Sequence, residues 1–172
     1  MRTTTTGLKA VAWGAAPSEA PPGRWFTPGL AAPEEQISDL PSSLGFIGLQ
    51  AAFRATGGTA RADDLARLLE YRRSADGATL PELMAEGAVF GFRWRHCLWI
   101  PMFQFDLADL SIKRGPHAVL EELSNDFDGW TRAAWFARPT AWLQGRRPVD
   151  LLESNLNAVL GAARADRFIA AG

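Results

Sequence analysis

Six of the eleven prolines in this chain of 172 residues crowd into its first 42 positions: Pro17, Pro21, Pro22, Pro28, Pro33 and Pro41. Proline fixes φ and removes a backbone donor, so such a density forbids long helices and central strands. Residues 1–42 are therefore expected to form a Pro/Ala-rich flexible tail, which Trp25 and Phe26 could dock on the body. Beyond it the prolines are sparse and punctuate helices instead. Pro81, Pro116 and Pro148 stand where a helix begins, and Pro139 where one must end. The fold class that follows is mainly α: a small helical domain with one β-hairpin, then a second helical unit.

Residues 43–105 form the expected middle unit. Leu44, Ile47, Leu49, Ala52 and Phe53 predict a helix over 43–55, stopped by Gly57-Gly58. Thr59 is placed to cap a second helix over 60–73, with Leu65, Leu68 and Leu69 at helical spacing. Thr79-Leu80-Pro81-Glu82 has the form of a capping box, opening a short third helix that stops at Gly87. Residues 88–94 and 97–105, rich in aromatic and β-branched side chains, predict a hairpin turning at Arg95-His96. The order matches a helix-turn-helix with a wing.

Residues 106–172 form the expected C-terminal unit. Pro116 opens a helix with Val119, Leu120 and Leu123 on one face, and Asp128 is placed to cap the next. Leu156, Val159, Leu160 and Ala163 make the i, i+3, i+4, i+7 stripe of a last helix beginning at Asn155.

Bulk composition narrows the function classes. The net charge of −1 argues against simple adhesion to phosphate backbones. The single cysteine, Cys97, cannot close an internal disulfide, which suits a reducing cytoplasm. No apolar run reaches the ~20 residues that span a bilayer, and Val11-Ala12-Trp13 is too short for a signal-peptide core. An enzyme is not expected. His96 and Cys97 are neighbours that would point to opposite faces of a strand, a poor nucleophile–base pair. Two histidines and one cysteine are also few ligands for a metal, so no cofactor is expected.

The most distinctive stretch runs from Trp135 to Leu152: helix, a Gly145-Arg146-Arg147-Pro148 turn, then a helix start bearing Leu151-Leu152. Gly145 permits backbone closed to other residues, and Pro148 stiffens the exit. On chemistry alone such a loop serves as a solvated connector. Its pattern, however, resembles the toxin-binding domain of the Xre/MbcA/ParS class of bacterial antitoxins, over roughly residues 100–168. That resemblance implies an antitoxin that neutralises a partner, usually an NAD⁺-consuming RES-type enzyme, by occluding its active site. It implies that Gly145, Pro148, Leu151 and Leu152 shape the binding surface, with Arg146 and Arg147 at its charged positions. It places Arg164, Arg167 and Phe168 nearest the toxin cleft, where an arginine would occupy a place meant for an anionic substrate. Such proteins generally dimerise, here through the apolar C-terminal helices. Independently, an exposed Trp142 just ahead of the loop would be an interface anchor, since tryptophan and arginine are enriched at binding hot spots.

The alternative expectation is a DNA-binding regulator or operon autorepressor that uses the middle unit. Arg72, Arg73, Arg93 and Arg95 would touch operator phosphates. Against it, the third helix offers Glu82 and Glu86 and no Arg or Lys, whereas base edges are read by Arg, Lys, Asn or Gln.

Overall fold

The computed structural model describes residues 40–72, 77–123 and 127–170. The expected tail with Trp25 and Phe26, and also Arg73, lie outside the described residues. All described residues belong to one compact unit.

Helix α1 (Ser43–Phe53) opens on Ser42, whose hydroxyl accepts from the Gly45 N–H at 2.9 Å. It tightens into a 3₁₀ turn and ends at Gly57, where φ is 102°. The expectation for Thr59 is corrected here. Thr59 does not cap a helix but begins strand β1 (Thr59–Arg61). A β-branched residue behind two left-handed glycines suits extended backbone, and its hydroxyl donates to Gln50 Oε1 at 2.8 Å. Helix α2 (Ala62–Arg72) follows directly, with Asp63 and Asp64 in the first turn facing the helix dipole. Helix α3 (Leu80–Ala85) starts on the predicted capping box: Thr79 Oγ1 accepts from Glu82 N–H, and Glu82 Oε2 accepts from Thr79 N–H at 2.7 Å. Gly87, at φ 72°, ends that segment.

The hairpin is shorter than expected. Strand β2 (Phe92–Trp94) and strand β3 (Cys97–Pro101) join through Arg95-His96, with Arg95 at φ 54°. Both β1 and β2 pair antiparallel with β3, giving the order β1-β3-β2. The order α1-β1-α2-α3-β2-β3 keeps the expected helices followed by a hairpin wing, with β1 added at the edge of the sheet. Beyond Pro101 the chain turns into 3₁₀ geometry at Met102–Gln104, and Gln104 is fully buried. Its side chain accepts from Phe90 N–H at 2.8 Å and donates to the Phe90 and Pro101 carbonyls, both at 2.9 Å.

The C-terminal helices are α4 (Arg114–Glu122), α5 (Gly129–Ala137), α6 (Pro148–Leu151) and α7 (Leu156–Ala170). Asp128 caps α5 as predicted, accepting from Thr131 N–H at 2.7 Å. Alternation along β3 divides the packing. Leu98 and Ile100 face a smaller core with Leu65, Leu80 and Phe105. Trp99 faces the larger one, in which Leu49, Phe53 and Phe92 meet Trp130, Phe136 and Val159. The stretches 43–105 and 106–172 thus share a core. Gly129 lies against the Gly91 carbonyl, where a Cβ at Gly129 would overlap that oxygen.

Candidate partner-binding site

The turn between α5 and α6, together with α6 and its C-cap Leu152, carries seven of the ten predicted binding residues. Helix α5 buries Trp130, Ala133, Ala134, Phe136 and Ala137, and Arg138 leaves helical geometry ahead of Pro139. Thr140 then caps a single 3₁₀ turn, Ala141–Leu143. Gln144 at φ 58° and Gly145 at φ 77° follow in left-handed backbone. Gly145 N–H donates to Thr140 O at 3.0 Å and Gln144 N–H to Ala141 O at 3.1 Å, the paired closure of a Schellman motif. Thr140 N–H also donates to Arg146 O at 3.2 Å, so residues 140–146 form a closed loop. A Cβ at Gly145 would meet nothing within 4 Å, so the glycine is required by its φ and not by crowding.

The predicted residues divide into a buried set and an exposed set. Pro148 is the first residue of α6, and it is buried with Leu151 and Leu152. The leucine pair fixes the turn to the core and offers no surface of its own. Arg147 is turned back: Nε donates to Asp150 Oδ2 at 2.7 Å and Nη2 to Asp150 Oδ1 at 3.1 Å. Trp142 is 55% exposed, and Arg146 and Gln144 are exposed beside it.

Helix α7 arranges its arginines differently from what the resemblance implies. Arg164 Nη2 lies 2.7 Å from Glu122 Oε1 and Arg167 Nη2 3.3 Å from Glu122 Oε2. The hydrogen bond from Arg164, then the two positive charges, hold the Glu122 carboxyl below its ordinary range, against the opposing effect of burial. Arg164 is raised by the same contact. In this state neither arginine extends as a bare cation. Phe168 is 83% exposed near the end of α7.

Two residues that hold the site are silent in the sequence. One is Glu122, which pairs with Arg164 and Arg167. The other is Asp166, whose carboxylate accepts from Trp135 Nε1 at 2.7 Å and from Trp142 Nε1 at 2.9 Å. Their partners lie at least 24 residues away in sequence, beyond any local signal.

The predicted phosphate-contacting arginines are dispersed. Arg72 donates to the Ala108 carbonyl at 2.9 Å. Arg93 is exposed on β2, and Arg95 stands 5.7 Å over the Trp94 ring at the hairpin tip. The short α3 carries the acid Glu82 and no cation. A cleft of about 440 Å³ opens between Gly57, Leu107, Gly115 and Val149, rimmed by the Lys113–Glu153 ion pair at 2.6 Å. It holds no histidine or cysteine and lies apart from Trp142 and Arg146. Among the described residues no cluster of His, Cys, Asp and Glu is arranged to hold a metal. No helix among them is long and apolar enough to cross a membrane. Comparison with protein-family models, curated proteins and solved structures finds no match to this chain.

Proposed function

We propose that the chain is an antitoxin-like protein of the cytoplasm that binds a partner enzyme, an NAD⁺-consuming protein of the RES type, and occludes its active site. The chain itself performs no chemistry in this scheme and needs no cofactor. One observation carries it: residues 140–146, leading into the Gly-Arg-Arg-Pro motif, form a closed, hydrogen-bonded loop that presents Trp142 and Arg146 outward from a buried Leu151-Leu152 base. Tryptophan and arginine are the residue types that dominate binding energies at protein interfaces. The occluding role is assigned to this turn, because Arg164 and Arg167 are already held by Glu122. Self-association would draw on Phe168 and Ile169, the exposed apolar residues near the end of α7.

The test is to co-purify the full chain with its partner and follow NAD⁺ consumption by that enzyme as chain is added. Inhibition at one-to-one stoichiometry, weakened by Trp142→Ala, is expected. Deleting everything after Pro139 would be a poor test, since α7 supplies Val159 and Ala163 to the core. NAD⁺ consumption by the chain alone would put the chemistry in the wrong partner and end the proposal.

A second reading is a DNA-binding regulator. The winged connectivity and the exposed Arg93 and Arg95 favour it, and the cation-free α3 counts against it. Binding to duplex DNA that weakens steeply with salt would support it. Equal binding by the Arg93→Glu, Arg95→Glu double variant would remove it.

A further inference from the structure

Resting on the partner-binding reading above, we propose that Asp166 is a positioning residue: it sets the orientation of Trp142 before any partner arrives. The two carboxylate oxygens are divided between two indoles. Oδ2 accepts from Trp135 and Oδ1 from Trp142. Trp135 is buried in α5, its ring edge-on to Phe136 at 5.0 Å between centroids, so that side of the carboxylate is anchored to the core. Trp142 hangs from the other oxygen with 55% of its surface in solvent.

An indole this exposed can satisfy its N–H with water, so the bond to Asp166 is not needed to avoid an orphaned donor. What the bond does is restrict the ring. Binding of a partner then no longer carries the cost of ordering that side chain. The carboxylate is also chemically specific. Two separate acceptor oxygens are required, and asparagine would turn an amide N–H₂ toward one of the indole donors.

The surroundings define the partner surface. Beside Trp142 the exposed cation is Arg146, whereas Arg147 is paired with Asp150 and Arg164 and Arg167 with Glu122. Ile169, three residues on from Asp166 and 65% exposed, shares its face of α7. The fitting partner is a protein surface with an apolar socket for the indole and carboxylates at its rim.

The test uses the full chain and four versions of it: wild type, Asp166→Asn, Trp142→Phe and the double variant. In free protein, the Trp142 indole N–H should exchange slowly with water despite its exposure, and Asp166→Asn should speed that exchange by about tenfold or more. Affinity for the co-purified enzyme should fall about tenfold on Asp166→Asn, but by less than about twofold when Trp142 is already Phe and has no N–H to hold. An equal loss in both backgrounds, or unchanged exchange, would show that Asp166 only ties α7 to its neighbours and would overturn the proposal while leaving the partner reading intact. If the wild-type chain binds no enzyme, the partner reading falls and takes the positioning role with it.

Discussion

The winged half and the C-terminal turn teach opposite lessons about scaffold and function. The winged half has three helices and a three-stranded sheet in the order β1-β3-β2. Yet the helix that would enter a groove has six residues and no cation. The turn after α5 is a much smaller element, but it places one aromatic and one cation outward on a frame of five backbone hydrogen bonds between residues 140 and 146. A fold sets which surfaces are available, and the side chains on those surfaces set what they do. Under the proposed function the turn is the contact surface, while both halves contribute to the shared core.

The strongest way to break this comparison is to test whether the halves fold as one. Gly129→Ala would place a methyl against the Gly91 carbonyl, and overpacking backbone on backbone should cost about 3 kcal/mol. Urea denaturation should show one transition, moved to lower denaturant. Two transitions, with only one displaced, would separate the halves. Gln104→Leu comes next. It strips partners from the buried Phe90 N–H and from the Phe90 and Pro101 carbonyls, at an expected cost of about 2–3 kcal/mol in thermal unfolding.

Substitutions in the turn should behave in the reverse manner. Trp142→Ala should leave stability within about 1 kcal/mol but weaken partner binding by about 2 kcal/mol or more, as interface anchors do. Arg146→Glu should act less strongly, about tenfold and chiefly through slower, more salt-dependent association. Titration calorimetry and stopped-flow mixing measure these directly. The smallest effect is expected from pH. Glu122 has a depressed carboxyl pKa in the folded state. Its contact with Arg164 therefore stabilises the fold above the ordinary carboxylate pKa and is lost as pH falls through the depressed value. Glu122→Gln should erase that part of the acid dependence, and a melting curve that keeps its full acid slope would place the effect elsewhere.

Much of the fold was legible because its signals are local. Thr79, Asp128 and Pro148 are capping or first-turn residues whose chemistry acts within three positions, and each begins a helix. Thr59 misled because a threonine after glycines suits a cap and a strand alike, and the choice was made by pairing with Pro101, 42 residues away. The site was half legible for the same reason. Gly145 and Pro148 declare a turn through their own backbones. That Leu151 and Leu152 face inward, that Arg147 folds onto Asp150, and that Asp166 joins two tryptophans are products of tertiary packing. The pairing of Arg164 and Arg167 with Glu122 likewise depends on α4 and α7 lying side by side.

The central claim is that the turn bearing Trp142 is the contact surface and the winged half its support. The most direct test is the affinity of the partner enzyme for Trp142→Ala beside that for the Arg93→Glu, Arg95→Glu double variant, with melting temperatures matched. The account predicts a loss of about thirtyfold or more for the first and no change for the second. Full affinity in Trp142→Ala, with binding lost in the arginine pair, would contradict it and move the working surface to the wing.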